Sequence, residues 1–432
     1  MPHIDSWVPV PAGSDFTIYN LPYGAFVRGG RTHLGVAIGT RILDLYALAD
    51  AGLLDNAKLD NAKLDNVSPR ELLQAESLNP FLAAGPQLWK KVRLHIAALL
   101  RSDDRGDPSL RERSNDAFFV EQADATMVVP MEIGDYVDFY SSLEHATNLG
   151  KILRPNSEPL LPNWRHMPIA YHGRASTIVI DGTPIVRPSG QRKPAGTDAP
   201  VFGPTQRLDI ELEVGFVTGP GNLLGQPIRA AAAREHIFGM VLVNDWSARD
   251  IQAWEYQPLG PFLGKSFATT ISPWIVTMDA LEPFRIGGPK QDPQPLPYLQ
   301  TSDRAAYDIK LEVELSSEAM RKSGVAPVTV SRTNFKELYW NMAQQLAHVT
   351  VNGTQIRPGD LYASGTISGS APDSRGSFIE LTWNATQPIS LPSGEVRGFL
   401  QDGDEVALRG WCEQGDFRIG LGSARGRIVA AR

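Results

Sequence analysis

The chain has 432 residues, enough for two or three domains and for a large core without covalent staples. Hydrophobic residues make up 42% and charged residues 21%, ordinary globular usage that excludes disorder as the main state. A net charge of −7, from 41 basic against 48 acidic residues, argues against the broad basic footprint of a nucleic-acid binder, and the single cysteine, Cys412, excludes an intrachain disulfide and a multi-cysteine metal site. No apolar run approaches the roughly 18 residues of a membrane span. The N-terminal stretch lacks a basic region followed by an apolar one, so a reduced, cytoplasmic setting is expected, with no membrane partner. The 39 glycines and 33 prolines, about 17% of the chain against roughly 12% in ordinary usage, point either to linker or to many tight turns.

In chain order, residues 1–45 read as short strands at Phe16–Tyr19, Ala25–Arg28, His33–Ile38 and Arg41–Leu45, punctuated by turns such as Gly29-Gly30. The pattern becomes helical over 46–102. Ser68-Pro69-Arg70-Glu71 is a capping box with proline at the first helical position. Pro86 opens a helix whose Leu88, Val92, Ile96 and Leu99 share one stripe. Between them lies a short tandem repeat, Leu54–Lys58, Leu59–Lys63 and the partial Leu64–Asn66, read as a local duplication without chemical content. The polar stretch 102–116 marks a solvated connection, and the division is placed at 1–125 and 126–432. Short strands and loops follow. A helix is expected from Asn334 to about Ala347, started by Asn334 and Glu337, with Phe335, Leu338, Met342 and Leu346 buried. Val351-Asn352-Gly353-Thr354 suits a type I′ hairpin, and Asp402-Gly403-Asp404 a second turn.

The most informative segment is Gln206–Phe216. Leu208, Ile210, Leu212, Val214 and Phe216 alternate with Asp209, Glu211, Glu213 and Gly215, the signature of a strand with one apolar face. Glu211 and Glu213 then share the other face, about 6.6 Å apart along the strand. Such a pair can converge on one hard cation, although a solvated acidic face is the commoner fate of this pattern. A second apolar strand, Phe238–Asn244, delivers Asp245, followed by a helical stretch in which Arg249, Gln252 and Tyr256 share a face. Asp245 either caps that helix or binds metal at the strand end. A third segment, Gly134–His145, carries Asp138 and a capping box of Ser141 with Glu144 that places His145 in the first turns of a helix. Locally, a histidine in this setting is more often a satisfied structural residue than a base, and nothing near His145 selects it from the eight in the chain. The glycine-bearing loops Tyr171–Arg174, Gly264–Thr270 and Gly365–Gly369 could each face an anion, and none is a Walker A loop.

Taken together, Asp135–Asn148, Tyr171–Ser176, Leu208–Glu213, Asn244–Tyr256, Leu263–Pro273 and Arg357–Gly369 resemble, in order, the signature stretches of the fumarylacetoacetase (fumarylacetoacetate hydrolase) family. Residues 16–45 resemble that family's N-terminal domain, so the likeness spans nearly the full chain. The resemblance implies an α+β protein, mainly β, with a small SH3-like N-terminal barrel and a larger β-rich C-terminal domain, usually a homodimer. It implies hydrolysis of the carbon–carbon bond of a small diketo acid, 4-fumarylacetoacetate, to fumarate and acetoacetate in tyrosine and phenylalanine breakdown. Carried over residue by residue, it places Asp138, Glu211, Glu213 and Asp245 as metal ligands, with further contacts from Lys265 and Thr269. His145 becomes the general base, held by Glu380 on an alternating stretch Ser377–Trp383, and Arg249, Gln252 and Lys265 stabilise negative charge. Tyr140, Arg154, Tyr171, Tyr256 and Thr366, with Arg249 and Gln252, hold the substrate. Ala268 stands where the family commonly has glycine.

Carboxylate donors without cysteine favour Mg²⁺ or Ca²⁺ over zinc or copper, and such an ion suits a 1,3-diketone. No Gly-x-Ser-x-Gly elbow indicates a serine nucleophile. The nearest alternative is an acylpyruvate or other diketo-acid hydrolase, decarboxylase or isomerase of the same superfamily. A non-enzymatic binding module and a phosphate-binding enzyme are the alternatives from other classes.

Overall fold

The alternating N-terminal stretches pair into a five-stranded antiparallel sheet in the order Phe119–Glu121, Arg41–Asp44, Arg31–Ile38, Tyr23–Arg28, Thr126–Val128. The structure is a computed structural model, and it describes residues 4–54, 68–113, 117–301, 305–415 and 417–432. The hairpin turn falls on Gly29 and Gly30, both at positive φ, where glycine carries no Cβ penalty. Phe16–Tyr19 is a turn rather than a strand. The amides of Asn20 and Leu21 return to the Thr17 carbonyl, and Asn20 Nδ2 ties the segment to the Asp15 and Gly420 carbonyls. Leu45 heads a helix instead of closing a strand, because Asp44 accepts a capping bond from the Ala47 amide.

The helical reading of 68–100 holds. Ser68 and Glu71 form the reciprocal capping box, and helix Pro86–Leu100 buries Leu88, Val92, Ile96 and Leu99. Of the tandem repeat, only Leu54, which is buried, lies within the described residues.

The larger part is built on a mixed sheet in the order Ala170–His172, Tyr136–Phe139, Leu361–Ala363, Leu212–Thr218, Ile237–Asp245, Thr269–Ile271, Ile178–Ile180. Both its faces are covered. Val217, Val241 and Val243 pack with the N-terminal helices, whereas Val214, Phe216, Met240 and Leu242 pack with a second five-stranded sheet that includes Lys310–Ser316, Glu405–Gln414 and Phe417–Val429. Alternation on two buried faces makes these strands apolar at nearly every position, and each fully buried large side chain contributes roughly 1.5–3 kcal/mol. Among the described residues, no helix is long and apolar enough to cross a membrane.

Strand directions place the site. Tyr136–Phe139 runs parallel to Leu361–Ala363, Leu361–Ala363 antiparallel to Leu212–Thr218, and that strand antiparallel to Ile237–Asp245. The C-terminal ends carrying Asp138 and Asp245 and the N-terminal end carrying Glu213 therefore meet at one end of the sheet's strands. Thr269, the first residue of its strand, pairs there with Asp245.

Four local expectations are corrected. No single helix spans 334–347. Asn334 accepts from the Lys336 amide to form a short 3₁₀ turn, and the amides of Tyr339 and Trp340 are drawn to the Ser141 carbonyl. The helix starts later, at Met342, under a capping box of Asn341 with Gln344. The Asn352-Gly353 turn ends that helix and joins no hairpin, with the Gly353 amide returning to the Thr350 carbonyl. The helix bearing His145 is capped by Ser142, not Ser141, whose hydroxyl instead accepts from Gln345 Nε2. Ser377–Trp383 holds the short helix Phe378–Leu381 rather than an alternating strand.

Candidate active site

Asp138, Glu211, Glu213 and Asp245 offer carboxylate oxygens that all lie within 4.8 Å of one another, and all four residues are buried. The alternating strand reading holds in part. The run is interrupted between Leu208–Asp209 and Leu212–Thr218, yet its apolar side chains enter the core and its Glu211 and Glu213 gather with Asp138 and Asp245 at the strand ends. That face is closed in by neighbouring elements instead of facing solvent. Asp245 does not cap the following helix Arg249–Glu255, whose cap residue is Ala248. Its carboxylate instead accepts from Lys265 Nζ at 2.6 Å, Tyr171 Oη at 2.9 Å and Thr269 Oγ1 at 3.1 Å.

The cluster is short of positive charge. Two unit charges at such separations repel by roughly 3 kcal/mol in an effective protein dielectric. Burial, followed by the charges of neighbouring carboxylates, pushes Asp138 and Glu213 well above the usual carboxylate range. Glu211 moves the opposite way. Burial raises it, but Lys265 Nζ at 2.5 Å and Arg249 Nη2 at 2.8 Å outweigh burial and hold it below its ordinary value. Burial disfavours the Lys265 ammonium, and Asp245 and Glu211 more than restore it. Asp138 Oδ1 and Glu213 Oε1 are buried without a hydrogen-bond partner. Orphaned, closely spaced carboxylate oxygens are what a hard cation of several oxygen ligands requires, so the donor set fits a metal ion.

Beside the carboxylates sits a hydrogen-bonded pair. His145 Nδ1 lies 2.6 Å from Glu380 Oε2, and both are buried. The His145 amide donates to Ser142 Oγ, which fixes the ring at the third position of its helix. Glu380 also accepts from Ser377 Oγ at 2.7 Å, Ser368 Oγ at 3.0 Å and Asn148 Nδ2 at 3.0 Å. Burial raises Glu380, and the His145 charge with these bonds brings it net below the usual range. The Tyr140 ring meets His145 edge-on at 5.3 Å.

Around this centre the structure also gathers Arg249, whose Nη1 donates to Gln252 Oε1 at 3.1 Å. Burial raises the Tyr140 hydroxyl pKa, with the Glu380 and Glu211 charges adding to the shift and Arg154 and Arg249 opposing it. Arg154 Nη2 bonds the Pro159 carbonyl while its Nε is buried and unpartnered. Thr366 is buried with a free Oγ1. Tyr256 lies at the C-terminal end of its helix, with its hydroxyl accepting from Gln257 Nε2 at 3.4 Å. A hollow of about 60 Å³, lined by Tyr136, Tyr171 and Lys265 among others, adjoins the cluster. Larger ones of about 350 and 570 Å³, beside Trp89 and beside Arg418, hold none of these carboxylates, so chemistry rather than size locates the site.

Sequence reasoning gave no role to three sets of residues. Asp209 bonds Arg249 Nε at 2.7 Å. Tyr136 is buried against Asp245, Asp138 and Glu213, and burial followed by their charges raises its hydroxyl pKa. Ser368, Ser377 and Asn148 surround Glu380. The signal for Asp209 was its place on the same acidic face as Glu211.

Converging carboxylates, a histidine–glutamate pair and two cations gathered at one end of a β sheet make a site suited to metal-assisted acid–base chemistry. Residues 136–429 match the family model for fumarylacetoacetate (FAA) hydrolase, C-terminal, and residues 19–130 that for fumarylacetoacetase, N-terminal. The chain is 50% identical over 431 residues to the fumarylacetoacetase of Homo sapiens, covering 99% of each. It is 49% identical to that of Arabidopsis thaliana, covering 99% of this chain and 98% of the relative. The chain belongs to the fumarylacetoacetase family. A solved fumarylacetoacetate hydrolase from the psychrophile Exiguobacterium antarcticum shares the fold, with a TM-score of 0.52 at 17% identity over 95% of this chain and 99% of that one.

Proposed function

We propose that the chain hydrolyses 4-fumarylacetoacetate to fumarate and acetoacetate. The observation that carries this is the buried His145–Glu380 pair beside four convergent carboxylates, in a chain half identical to curated fumarylacetoacetases along its length. Asp138, Glu211, Glu213 and Asp245 would hold a divalent ion, Mg²⁺ or Ca²⁺ by their hard oxygen donors, and the bound ion would polarise the substrate's carbonyl oxygens. The Lys265 ammonium has no lone pair to offer, so its side chain acts as a counter-charge to Glu211 and Asp245. Thr269 Oγ1 orients Asp245.

With Nδ1–H directed at Glu380, His145 presents Nε2 as the proton acceptor. It takes a proton from water, whose oxygen adds to the carbonyl carbon that becomes a carboxyl of fumarate. The carbon–carbon bond then breaks, its electron pair leaves with the acetoacetate carbon, and the proton held at His145 returns to that carbon. Glu380 stabilises the transient imidazolium. Arg249, Gln252 and Lys265 offset the negative charge on oxygen. Tyr140, Arg154, Tyr171, Tyr256 and Thr366 orient the substrate's carboxylates and carbonyls.

We also place the boundary between the N-terminal and catalytic parts near residue 125, and read the protein as a homodimer. Phe202, Leu259 and Phe262, exposed at 79%, 98% and 61%, support a covered face on the catalytic part. An absorbance assay tests the activity, with fumarylacetoacetate and acylpyruvates compared with and without chelator. Chelator-sensitive turnover of fumarylacetoacetate is expected. Faster cleavage of acylpyruvates would move the assignment to a related diketo-acid hydrolase.

A further inference from the structure

Asp209 is fully buried, one turn of the alternation before Glu211. Its carboxylate accepts four bonds. Oδ2 takes Arg249 Nε at 2.7 Å and the Ile379 amide at 3.1 Å, while Oδ1 takes the Phe378 amide at 2.6 Å and the Ile210 amide at 2.7 Å. Four donors fill the four acceptor sites of one carboxylate. Two of the amides open the four-residue helix that carries Glu380, and the residue before that helix, Ser377, makes no side-chain cap. Ser377 Oγ is spent on Glu380 itself. Asp209 thus caps, from 169 residues away, the turn that aims Glu380 at His145. The same carboxylate holds Arg249, whose Nη2 lies 2.8 Å from Glu211 Oε1.

We infer that Asp209 is a positioning residue that sets the Glu380–His145 pair and the Arg249 guanidinium in register across the site. It touches neither substrate nor metal. It fixes the distance between the group that moves a proton and the group that meets the developing oxyanion, the kind of placement in which small errors are costly. The inference rests on the roles proposed above for His145, Glu380 and Arg249.

Asparagine in place of Asp209 has the same shape but sets an NH₂ among four donors, so one arm must open whichever way the amide turns. Asp209→Asn should lower kcat per folded molecule by about 10- to 100-fold. The decisive measurement is a pair of double-mutant cycles on kcat and KM, Asp209→Asn with Glu380→Gln and Asp209→Asn with Arg249→Gln. In each double variant the combined loss should be smaller than the product of the single losses, with the Glu380 cycle coupling in kcat alone. Losses that multiply in both cycles would overturn the inference. So would wild-type kcat per folded molecule in Asp209→Asn, which would make its role purely structural. Should Asp209→Asn fail to fold, Asp209→Ser, which keeps an acceptor oxygen, enters the same cycles. Wild-type turnover in Glu380→Gln and Arg249→Gln singly would instead remove the proposed site roles, and that of Asp209 with them.

Discussion

The two halves of the site are opposites in polar satisfaction. At the strand ends, Asp138 Oδ1 and Glu213 Oε1 are buried with no partner, and both acids are driven toward their neutral forms. A few residues away, the Glu380 carboxylate accepts from four side chains and is held below its ordinary pKa. Two orphaned carboxylate oxygens within a crowd of four buried acids have the make-up of a receptacle for a cation, and the fully bonded Glu380 that of a preset tool. The difference also separates their energetics. The receptacle costs stability until it is filled, whereas the histidine pair contributes stability whether or not ligand is present.

The sharpest way to break this division is His145→Ala. Loss of a positioned general base should lower turnover by about 10²- to 10⁴-fold. Because His145 is a donor to Glu380 and not a member of the carboxylate cluster, calorimetric titration with Mg²⁺ or Ca²⁺ should be little changed. Turnover near the wild-type rate would remove the base assignment. Weakened metal uptake would show that the two halves are not independent.

The converse variant is Glu213→Gln. Removing one carboxylate oxygen from the receptacle should weaken Mg²⁺ binding by about 100-fold, at least the loss seen when a metal's outer-shell partners are removed. The ligand-free variant should be as stable as the wild type or more so in thermal melts, since one of four crowded acids is gone. A ligand-free protein that melts earlier as Glu213→Gln would mean that the carboxylate's charge is stabilised beyond the bond that its Oε2 accepts from the Gly365 amide, contrary to its orphaned Oε1.

The receptacle was more legible in the sequence than the tool, for a physical reason. Glu211, Glu213 and Asp245 lie on or at the end of apolar strands, and period-two alternation states which face they share. What alternation could not state is burial: the acidic face is closed in by Lys265 and Arg249, 54 and 38 residues along the chain from Glu211. The tool depends on contacts that leave no local periodicity. Ser377–Trp383 alternates like a strand, yet Asp209 captures the amides of Phe378 and Ile379 and turns the segment into a helix. The cap before His145 was one residue off because two serines stand side by side and Gln345, far along the chain, engages the first. The missed helix start at Asn341 has the same origin, since the Ser141 carbonyl draws the Tyr339 and Trp340 amides out of helical bonding. Family resemblance supplied the pairing of His145 with Glu380 that no spacing in the chain encodes.

The smallest effect follows from the acid titration of the tool. Glu380 has a folded-state pKa below its ordinary value of 4.5, so its stabilising contribution is fully present above that value and is lost as pH falls through the lower folded value. Glu380→Gln, which keeps the shape and removes the charge, should cost about 2–3 kcal/mol at neutral pH, the scale of hydrogen bonds to a charged group. Below about 4.5 the unfolded chain takes up the proton first, and as pH falls through the lower folded value the buried carboxyl takes it up too and comes to resemble the amide, so the gap in thermal midpoint between the two proteins should close. A gap that stayed constant from pH 7 to pH 3 would mean that Glu380 contributes through packing alone. The carboxylate would then orient His145 without being stabilised by it, and the contrast between the two halves of the site would rest on geometry only.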